Sequence, residues 1–325
     1  MTSDHPVRIA LVGGGAFGAK HAAALQRIDG VDITAVASDS LENARRFAEK
    51  QDLGDLAVGG LDDVLGRDDV DGVVLATPTP VHAEQAIACL DAGKHVAVEI
   101  PMADSLADAE AVVAAQERSG LVAMVGHTRR YNPSHQWVRR RIAAGELSIQ
   151  QMDVQTFFFR RENKNALGEP RSWTDHLLWH HAAHTVDLFA YQTDSPVVQA
   201  NAIQGPTHPE LGIAMDMSVQ LRAENGAICT LSLSFNNDGP FGTFFRYIGD
   251  TGTCVARYDD LVTGEDEEID VSDVDVSMDG IELQDRDFVA CIRSGEQPRA
   301  SVAKVMPCYR TLAALEQQLD AQSPS

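Results

Sequence analysis

The sequence predicts an α/β protein with two domains: an N-terminal, doubly wound parallel sheet and a C-terminal α+β domain with a large open, mostly antiparallel sheet. In the first 125 residues, buried-strand runs such as Val7–Val12 alternate with helical segments over short connections, which is typical of parallel sheets. From Gln150 onward, alternating strand segments follow one another with turn residues between them. We therefore expect domains at residues 1–125 and 126–325.

Composition narrows the class of protein. The chain has 325 residues, 44% of them hydrophobic, so it can bury one large core or two ordinary ones. Its net charge of −22 argues against a nucleic-acid or anionic-membrane partner. The sequence contains neither an apolar run long enough to span a membrane nor a signal-peptide pattern. Five scattered cysteines without a CxxC pair favour reduced thiols in a cytoplasmic protein. Taken together, these properties favour an enzyme that acts on small molecules.

The first strand leads directly into the glycine-rich segment GGGAFG, which satisfies the GxGxxG pattern. The first glycine permits a tight turn, the second admits a pyrophosphate, and the third lets the next helix approach the strand. The N-terminus of that helix then faces the phosphates. A strand before the motif and an amphipathic helix after it strengthen the prediction of a Rossmann dinucleotide site. The predicted cofactor contacts here are Gly13, Gly15, Ala16, Phe17 and Gly18.

Cofactor choice is expected to depend on the end of the second strand, at Ser38 and Asp39. An acid about twenty residues beyond the last glycine can accept a hydrogen bond from the adenosine ribose and would repel a 2′-phosphate. Asp39 therefore favours NAD over NADP, while the nearest basic residues are Arg45 and Arg46 on the next helix. Alternatively, Asp39 or Ser40 caps that helix.

Three further segments follow predicted strands of the same sheet. They read TPTPVH, EIP and GHTRR. Ligands of such sheets bind beyond the carboxyl ends of the strands, where these segments are expected to lie. The remaining predicted cofactor contacts are Thr77, Pro78, His82, Glu99 and His127.

A second candidate site is the segment Trp173–Phe189, which reads WTDHLLWHHAAHTVDLF. At 3.6 residues per turn, His176, His180, His184 and Asp187 fall within about 80° of one helix face. The opposite side is apolar and can pack against a core. The arrangement predicts a functional face, with two alternatives: a partly solvated polar surface, or a metal site. One straight helix rarely supplies three ligands to one ion, so no metal is expected.

The motifs GGGAFG, TPTPVH, AGKHVAVEIP and GHTRRYNP, together with the histidine segment, resemble the Gfo/Idh/MocA oxidoreductase family over essentially the whole chain. The resemblance implies a Rossmann domain and a C-terminal domain whose open sheet commonly makes a dimer interface. It also implies hydride transfer between a nicotinamide, NAD or NADP, and a carbon that bears a hydroxyl, usually on a sugar or inositol.

Two departures from the family pattern affect that implication. The family's usual EKP supplies a catalytic lysine, whereas this chain has Glu99-Ile100-Pro101. The family's DxGxHxxD aligns with residues 180–187, so that His180 replaces the aspartate while His184 and Asp187 are retained. These changes leave three readings open: a dehydrogenase with a different substrate, an ordinary sugar or inositol dehydrogenase, and a catalytically silent NAD(P)-binding protein.

Further segments, including EIP, HTRRYNPSHQ, FFFRREN and LSLSFNNDGP, resemble family members of the protocatechuate 4,5-cleavage pathway. That resemblance implies oxidation of a cyclic hemiacetal dicarboxylate to a pyrone. Such a step needs a base for the anomeric hydroxyl, and imidazole, with an ordinary pKa near 6.5, suits it. We predict His180 as the base, His184 as hydrogen-bond donor or orienting group, and Asp187 as the group that fixes a tautomer. The first two roles are exchangeable.

A dicarboxylate substrate needs cations. Residues 129–171 carry nine Lys/Arg against four acids, an unusual excess in so acidic a chain. Arginine binds carboxylates in a bidentate manner. Arg129 follows the last Rossmann strand and Arg171 precedes the histidine segment, so both are favoured; strand alternation would direct only one of Arg160 and Arg161 inward. The predicted substrate-binding residues are Arg129, Arg130, Arg160, Arg171 and His176.

Self-association is the last expectation. One face of the C-terminal sheet is predicted to cover helices, which leaves the other face bare. A bare sheet face favours a homodimer.

Overall fold

The computed structural model describes residues 5–164, 168, 170–171 and 173–322, which form two compact units. The first unit contains the residues up to Thr128 and the later segment Ile281–Met306. The second contains Arg129–Gly280 and the C-terminal residues from Pro307. A single division between residues 125 and 126 therefore does not describe the segment 281–306, which returns to the first unit.

Thirteen strands occur in the described residues. They are β1 (Val7–Val12), β2 (Val31–Ala37), β3 (Ala57–Val58), β4 (Gly72–Leu75), β5 (His95–Val98), β6 (Ala123–Val125), β7 (Ile149–Phe157), β8 (Val197–Gln204), β9 (Asp216–Ala223), β10 (Ile228–Ser234), β11 (Gly242–Gly249), β12 (Thr253–Arg257) and β13 (Asp260–Thr263).

Nine α-helices occur in the same residues. They are α1 (Ala16–Leu25), α2 (Leu41–Lys50), α3 (Leu61–Leu65), α4 (His82–Asp91), α5 (Leu106–Ser119), α6 (Pro133–Ala143), α7 (Ala183–Thr193), α8 (Gly280–Ser294) and α9 (Met306–Gln322). Two short 3₁₀ turns, Thr79–Val81 and Thr128–Arg130, and a π-helical segment, Leu177–Ala182, complete the helical structure of these residues. No helix of the described part of the chain is both long enough and apolar enough to cross a membrane.

The sheet of the first unit has the order β3-β2-β1-β4-β5-β6, and its strand pairs are parallel. Strands buried on both faces read as continuous apolar runs, which explains why β1 was recognisable from sequence. The strand order reverses direction between β1 and β4, which is where a doubly wound sheet binds its ligand. The predicted Rossmann architecture is confirmed.

Helix α8 packs against this sheet although it is distant in sequence. A Cβ atom added to Gly72 of β4 would lie 3.1 Å from Ile292 and 3.4 Å from Phe288. The Phe288 side chain is completely buried. Burial of such side chains against the sheet, rather than any feature of the linking segment, brings 281–306 into the first unit.

The second unit contains a seven-stranded sheet with the order β13-β12-β11-β7-β10-β9-β8. Its pairs are antiparallel except for β10 with β7, which is parallel. In β9, Met217 and Val219 are buried while Ser218 is exposed, the period-two pattern of a sheet with one covered face. The mostly antiparallel α+β domain is also confirmed.

Candidate functional site

The glycine-rich turn connects β1 to α1 and depends on glycine for steric reasons. Gly13 has φ +116°, and a Cβ there would lie 2.3 Å from the carbonyl oxygen of Ala76. A Cβ at Gly18 would lie 2.0 Å from the carbonyl oxygen of Gly13. The turn and the close approach of α1 to β1 would both be lost with any larger residue.

The middle glycine has a different environment. Gly15 is the N-cap of α1, and a Cβ there would meet nothing within 4 Å. No side chain caps this helix, its first turn carries no acid, and Ala16 and Phe17 in that turn are exposed. An uncapped, uncharged helix N-terminus behind a glycine cradle fits a pyrophosphate group. The residues present therefore suit a dinucleotide.

Asp39 and Ser40, which follow the end of β2, make different hydrogen bonds. Ser40 caps α2 by accepting a hydrogen bond from the Asn43 backbone N–H at 3.2 Å. The exposed Asp39 carboxylate accepts from the Asn43 side-chain amide at 2.6 Å and from Ser38 Oγ at 3.2 Å, and the Asn43 bond lowers the pKa of Asp39. Arg46 in turn donates to Asn43. Asp39 is thus an ionised acceptor at the position expected for ribose recognition, with Arg46 two hydrogen bonds away.

His82 is a buried residue at the start of α4. Its side chain is 1% exposed, with Nδ1 2.8 Å from the Pro101 carbonyl oxygen and Nε2 2.8 Å from that of Thr77. The ring therefore ties the turn after β4 to the turn after β5. Thr77 Oγ1 donates to Gln85 at 2.6 Å, and Pro78 precedes the short 3₁₀ turn. Through these contacts with backbone carbonyl oxygens, His82 holds together two turns at the edge of the sheet where the cofactor is predicted to bind.

Glu99 and His127 follow β5 and β6. His127 is fully buried. Glu99 Oε1 lies 2.9 Å from Nε2 of His21, a buried residue of α1, and His21 Nδ1 lies 2.9 Å from both carboxylate oxygens of Asp285. We name Asp285, His21 and Glu99 the His21 cluster.

In the second unit, the histidine segment is not one α-helix. His176 precedes the helical structure in extended conformation and is exposed, Leu177–Ala182 is π-helical, and α7 begins only at Ala183. The prediction of a single 3.6-residue repeat from Trp173 was therefore wrong in its first half. A π-helical turn contains an extra residue, so the histidine spacing no longer places the four side chains on one face.

His180 is enclosed by aromatic rings. Its imidazole stacks on Trp173 at 5.5 Å and on His176 at 6.0 Å, and the side chain is nearly buried. The His176 backbone N–H donates to His180 Nδ1 at 3.0 Å. Since Nδ1 accepts this bond, the neutral ring carries its proton on Nε2. His184 follows in the first turn of α7 and is half-buried.

Asp187 forms a buried pair with Arg130. The guanidinium donates to both carboxylate oxygens, Nε at 2.8 Å and Nη2 at 2.6 Å. The two side chains are 2% and 6% exposed. The Arg130 guanidinium also lies over the ring of Tyr191. Both residues were predicted to serve the site directly, and the structure positions them as a bidentate ion pair that anchors α7 beside Arg130.

A second ion cluster surrounds Asp175. Arg160 binds its carboxylate through Nη1 and through Nη2 at 2.7 Å, Arg171 Nη1 donates at 3.0 Å, and His181 Nε2 lies at 3.2 Å. Burial alone would raise the pKa of Asp175, but bonds from His181 and Arg160 hold it well below its usual range. We name these four residues the Asp175 cluster. It places one anion among two permanent cations and an imidazole.

Arg171 and Arg160 differ in their remaining contacts. The Arg171 guanidinium lies 5.2 Å from the Trp173 ring, whose other neighbour is His180. The Arg160 guanidinium lies 4.3 Å from Phe235 and has both Nη atoms on Asp175. Arg171 is therefore the arginine adjacent to the histidine stack.

Arg129 is half-buried over the ring of Tyr258, at 4.8 Å, and donates to Asn132 Oδ1 at 3.4 Å. Its Nε has no hydrogen-bond partner among the described residues, and burial lowers the pKa of the guanidinium. A cation held in this way is suited to an incoming carboxylate.

Several contributing residues were not predicted from the sequence: His21, Asp175, His181 and Asp285. His21 and Asp285 are far apart in sequence, and Asp175 resembles any acid near a helix start, so no local signal distinguished them. In the part of the chain that the structure describes, no three His, Cys, Asp or Glu side chains are grouped to hold a metal ion.

Comparison with known proteins agrees with this architecture. Residues 7–127 match the oxidoreductase family with an NAD-binding Rossmann fold, and residues 133–275 match the C-terminal domain of bacterial oxidoreductases. The 4-carboxy-2-hydroxymuconate-6-semialdehyde dehydrogenase of Sphingobium sp. strain SYK-6 is 67% identical over 316 residues, 97% of this chain and 100% of that protein.

Solved structures show the same fold. An oxidoreductase domain protein from Kribbella flavida superimposes with a TM-score of 0.84 at 23% identity, covering 98% of both chains. A levoglucosan dehydrogenase in complex with NADH and levoglucosan gives a TM-score of 0.84 at 20% identity, again over 98% of both chains. The chain belongs to the oxidoreductase family with an NAD-binding Rossmann fold, known as Gfo/Idh/MocA. It is an NAD(P)-dependent dehydrogenase.

Proposed function

We propose that this dehydrogenase oxidises the cyclic hemiacetal of 4-carboxy-2-hydroxymuconate-6-semialdehyde to 2-pyrone-4,6-dicarboxylate, a step of protocatechuate 4,5-cleavage. The observation that carries the proposal is the 67% identity with the enzyme of that name, which spans 97% of this chain and 100% of the relative. The arginines and histidines of the second unit support it, because they suit a dicarboxylate and a hydroxyl proton respectively.

The reaction removes two hydrogens from one hydroxyl-bearing carbon. The C–H bond breaks with both electrons, and the nicotinamide, when bound, accepts that hydride. The O–H bond breaks heterolytically, its proton passes to a base of the protein, and the electron pair left on oxygen closes the lactone carbonyl. The chain must therefore supply one proton acceptor and one donor that stabilises the developing charge on oxygen.

We assign the base to His184 and the donor to His180. The His180 lone pair on Nδ1 accepts the His176 backbone N–H, so the hydrogen of the neutral ring is on Nε2. That N–H can donate to the substrate oxygen but cannot remove its proton. This assignment exchanges the two roles favoured by the sequence. Trp173 and His176 hold the donor ring between them.

We assign one substrate carboxylate to Arg171. Asp175 engages Nη1 of Arg171, and stacking on Trp173 fixes the guanidinium beside the histidine stack. Arg160 is a positioning residue in this proposal, because both of its Nη atoms bind Asp175. Arg129, with a buried Nε that lacks a partner among the described residues, is assigned to the second carboxylate.

The test is absorbance at 340 nm with enzymatically generated 4-carboxy-2-hydroxymuconate-6-semialdehyde, run separately with NAD and NADP. We expect reduced cofactor and 2-pyrone-4,6-dicarboxylate in equal amounts. myo-Inositol and levoglucosan serve as comparison substrates, and turnover of either one in place of the semialdehyde would replace this proposal with a sugar-type dehydrogenase. Cofactor binding without turnover of any of the three would identify a silent NAD(P)-binding protein.

We also propose a cytoplasmic homodimer. The sheet face away from α7 carries both polar and apolar side chains, and Ile203 and Ile228 on it are 62% and 42% exposed. The five cysteines are free and buried, which suits a reducing compartment. Sedimentation equilibrium tests the assembly: a single species of monomer mass at micromolar concentration would refute the dimer.

A further inference from the structure

The His21 cluster takes no part in the hydride and proton transfers described above. His21 lies in α1, is 1% exposed, and contacts a carboxylate through each ring nitrogen at 2.9 Å. Asp285 is completely buried, and the Glu99 side chain is 12% exposed. Buried ionisable groups arranged in this way shift the electrostatic potential of nearby sites.

The charge of the cluster follows from hydrogen-bond chemistry. Ionised carboxylates only accept, so both nitrogens of His21 must donate, and the ring is an imidazolium. Burial by itself would lower the pKa of His21, but the charges and hydrogen bonds of Asp285 and Glu99 raise it to about 10. One cation between two carboxylates leaves a net charge of −1.

The His21 cluster lies in the half of the sheet where the nicotinamide is expected to bind. The glycine turn and Asp39 lie at the ends of β1 and β2, the half of the sheet that takes the adenosine. The other mononucleotide half, β4 to β6, then takes the nicotinamide. Glu99 follows β5 directly and is the partly exposed member of the cluster, so the negative charge lies at the edge of that half.

Glu99 is also held rigidly. A Cβ on Gly126, after β6, would lie 2.8 Å from Glu99 Oε1, and the Glu99 backbone N–H donates to Leu75 at 2.9 Å. A proton-relay role does not fit, because His21 and Asp285 are shielded from solvent and offer no exit for a proton. A charge that is fixed and immobile acts through its field.

We propose that the His21 cluster holds a permanent negative charge beside the nicotinamide and thereby favours the oxidised, positively charged ring over the reduced, neutral ring. His21 and Asp285 are positioning residues, and Glu99 carries the charge at the cofactor edge. The effect opposes retention of the reduced product and suits an enzyme that works in the direction of oxidation. It rests on cofactor binding alone and not on the hemiacetal substrate.

The experiment measures dissociation constants by calorimetry for the oxidised and the reduced cofactor, without substrate, in the full-length protein. Glu99→Gln keeps the shape and can still accept from His21, but it removes the charge. We expect binding of the oxidised cofactor to weaken on the order of tenfold, with reduced-cofactor binding changed less than twofold. Asp285→Asn is expected to shift the ratio in the same direction, because a retained imidazolium then cancels Glu99.

Asp71→Asn is the matched control. Asp71 precedes β4 at the amino ends of the strands, whereas Glu99 follows the carboxyl end of β5, and Asp71 pairs with Arg8. This variant therefore also removes one negative charge, but far from the nicotinamide. Its ratio should equal that of the wild type. An equal weakening of both cofactor forms in Glu99→Gln would show a purely structural cluster and overturn the proposal, as would no change in either. Each folded variant, Glu99→Gln or Asp285→Asn, decides the question independently.

Discussion

The His21 cluster and the Asp175 cluster combine acidic and basic side chains in opposite proportions. In the first unit, one imidazolium lies between two carboxylates. In the second, one carboxylate is shared by two guanidiniums and an imidazole. The first cluster is net negative and suits a cationic nicotinamide, whereas the second is net positive and suits an anionic substrate. The two clusters are both built from ion pairs, yet they have net charges of opposite sign.

The overall charge of −22 describes neither cluster. Surface carboxylates dominate that sum, and solvent and salt screen them. Charges in partly buried clusters are screened much less, so their local balance decides which ligand is attracted. Substitutions in and beside the two clusters test whether they differ in function as they do in charge.

The largest effect on catalysis is expected from substitution of His180 and His184, the histidines beside the Asp175 cluster. His184→Ala should lower kcat by up to about 10⁴-fold, because the hydroxyl proton loses its acceptor. His180→Ala should also lower kcat but keep the acid limb of the kcat/KM pH profile, which His184→Ala should lose. Stopped-flow hydride transfer across pH separates the two. Persistence of the acid limb in His184→Ala, with its loss in His180→Ala, would return the base to His180.

The two clusters should lose their contributions to stability at opposite ends of the pH range, the His21 cluster at alkaline pH and the Asp175 cluster at acid pH. The pKa of His21 is about 10 in the fold against 6.5 ordinarily, so its stabilisation is complete below about pH 6.5 and is lost as pH rises towards 10. The depressed pKa of Asp175 gives stabilisation that is present above its ordinary value and is lost as pH falls. Each contribution is expected to be a few kcal/mol at most.

Urea unfolding between about pH 2 and pH 10 measures both limbs. The double variant Glu99→Gln with Asp285→Asn should flatten the alkaline limb alone, since a buried neutral His21 no longer titrates there. Asp175→Asn should flatten part of the acid limb alone. Identical pH profiles for the wild type and both variants would mean that neither cluster contributes to stability.

Substrate affinity should depend on individual members of the Asp175 cluster. Arg171→Ala is expected to raise KM about ten- to a hundredfold with a smaller change in kcat, because a charge-assisted pair to the substrate is lost. Arg160→Ala should chiefly lower stability. Arg141→Ala removes a partly exposed arginine paired with Glu146 and serves as control. A KM unchanged in Arg171→Ala would remove this arginine from the carboxylate site.

The smallest effect is expected at the ribose end of the cofactor. Asp39→Ala should raise kcat/KM for NADP relative to NAD about tenfold, because the repulsion of a 2′-phosphate is removed and Arg46 remains nearby. Asp32→Ala, on the same strand but away from its carboxyl end, should leave the ratio unchanged. An unchanged ratio in Asp39→Ala as well would place cofactor choice elsewhere.

The nucleotide turn could be predicted closely because its signal is local. Glycine is required at position 18 by the backbone of Gly13, and at position 13 by the backbone of Ala76, which directly follows the neighbouring strand β4. The histidine segment was predicted less well, since a π-helical turn at Leu177–Ala182 has no distinct sequence signature and alters the register of every later side chain. The catalytic roles of His180 and His184 stay predictions, and the geometry around these two residues could not be predicted from the sequence.

The sequence alone determined the order of strands and helices, the glycine cradle, the acid at the end of β2 and the family. These depend on periodicity and short-range sterics, which are written in consecutive residues. Only the tertiary structure decided that Asp187 pairs with Arg130, that Asp175 gathers Arg160 and Arg171, and that Asp285 reaches His21 across 264 positions of sequence. Burial of distant charged groups leaves no periodic trace, because their partners are selected by packing in three dimensions.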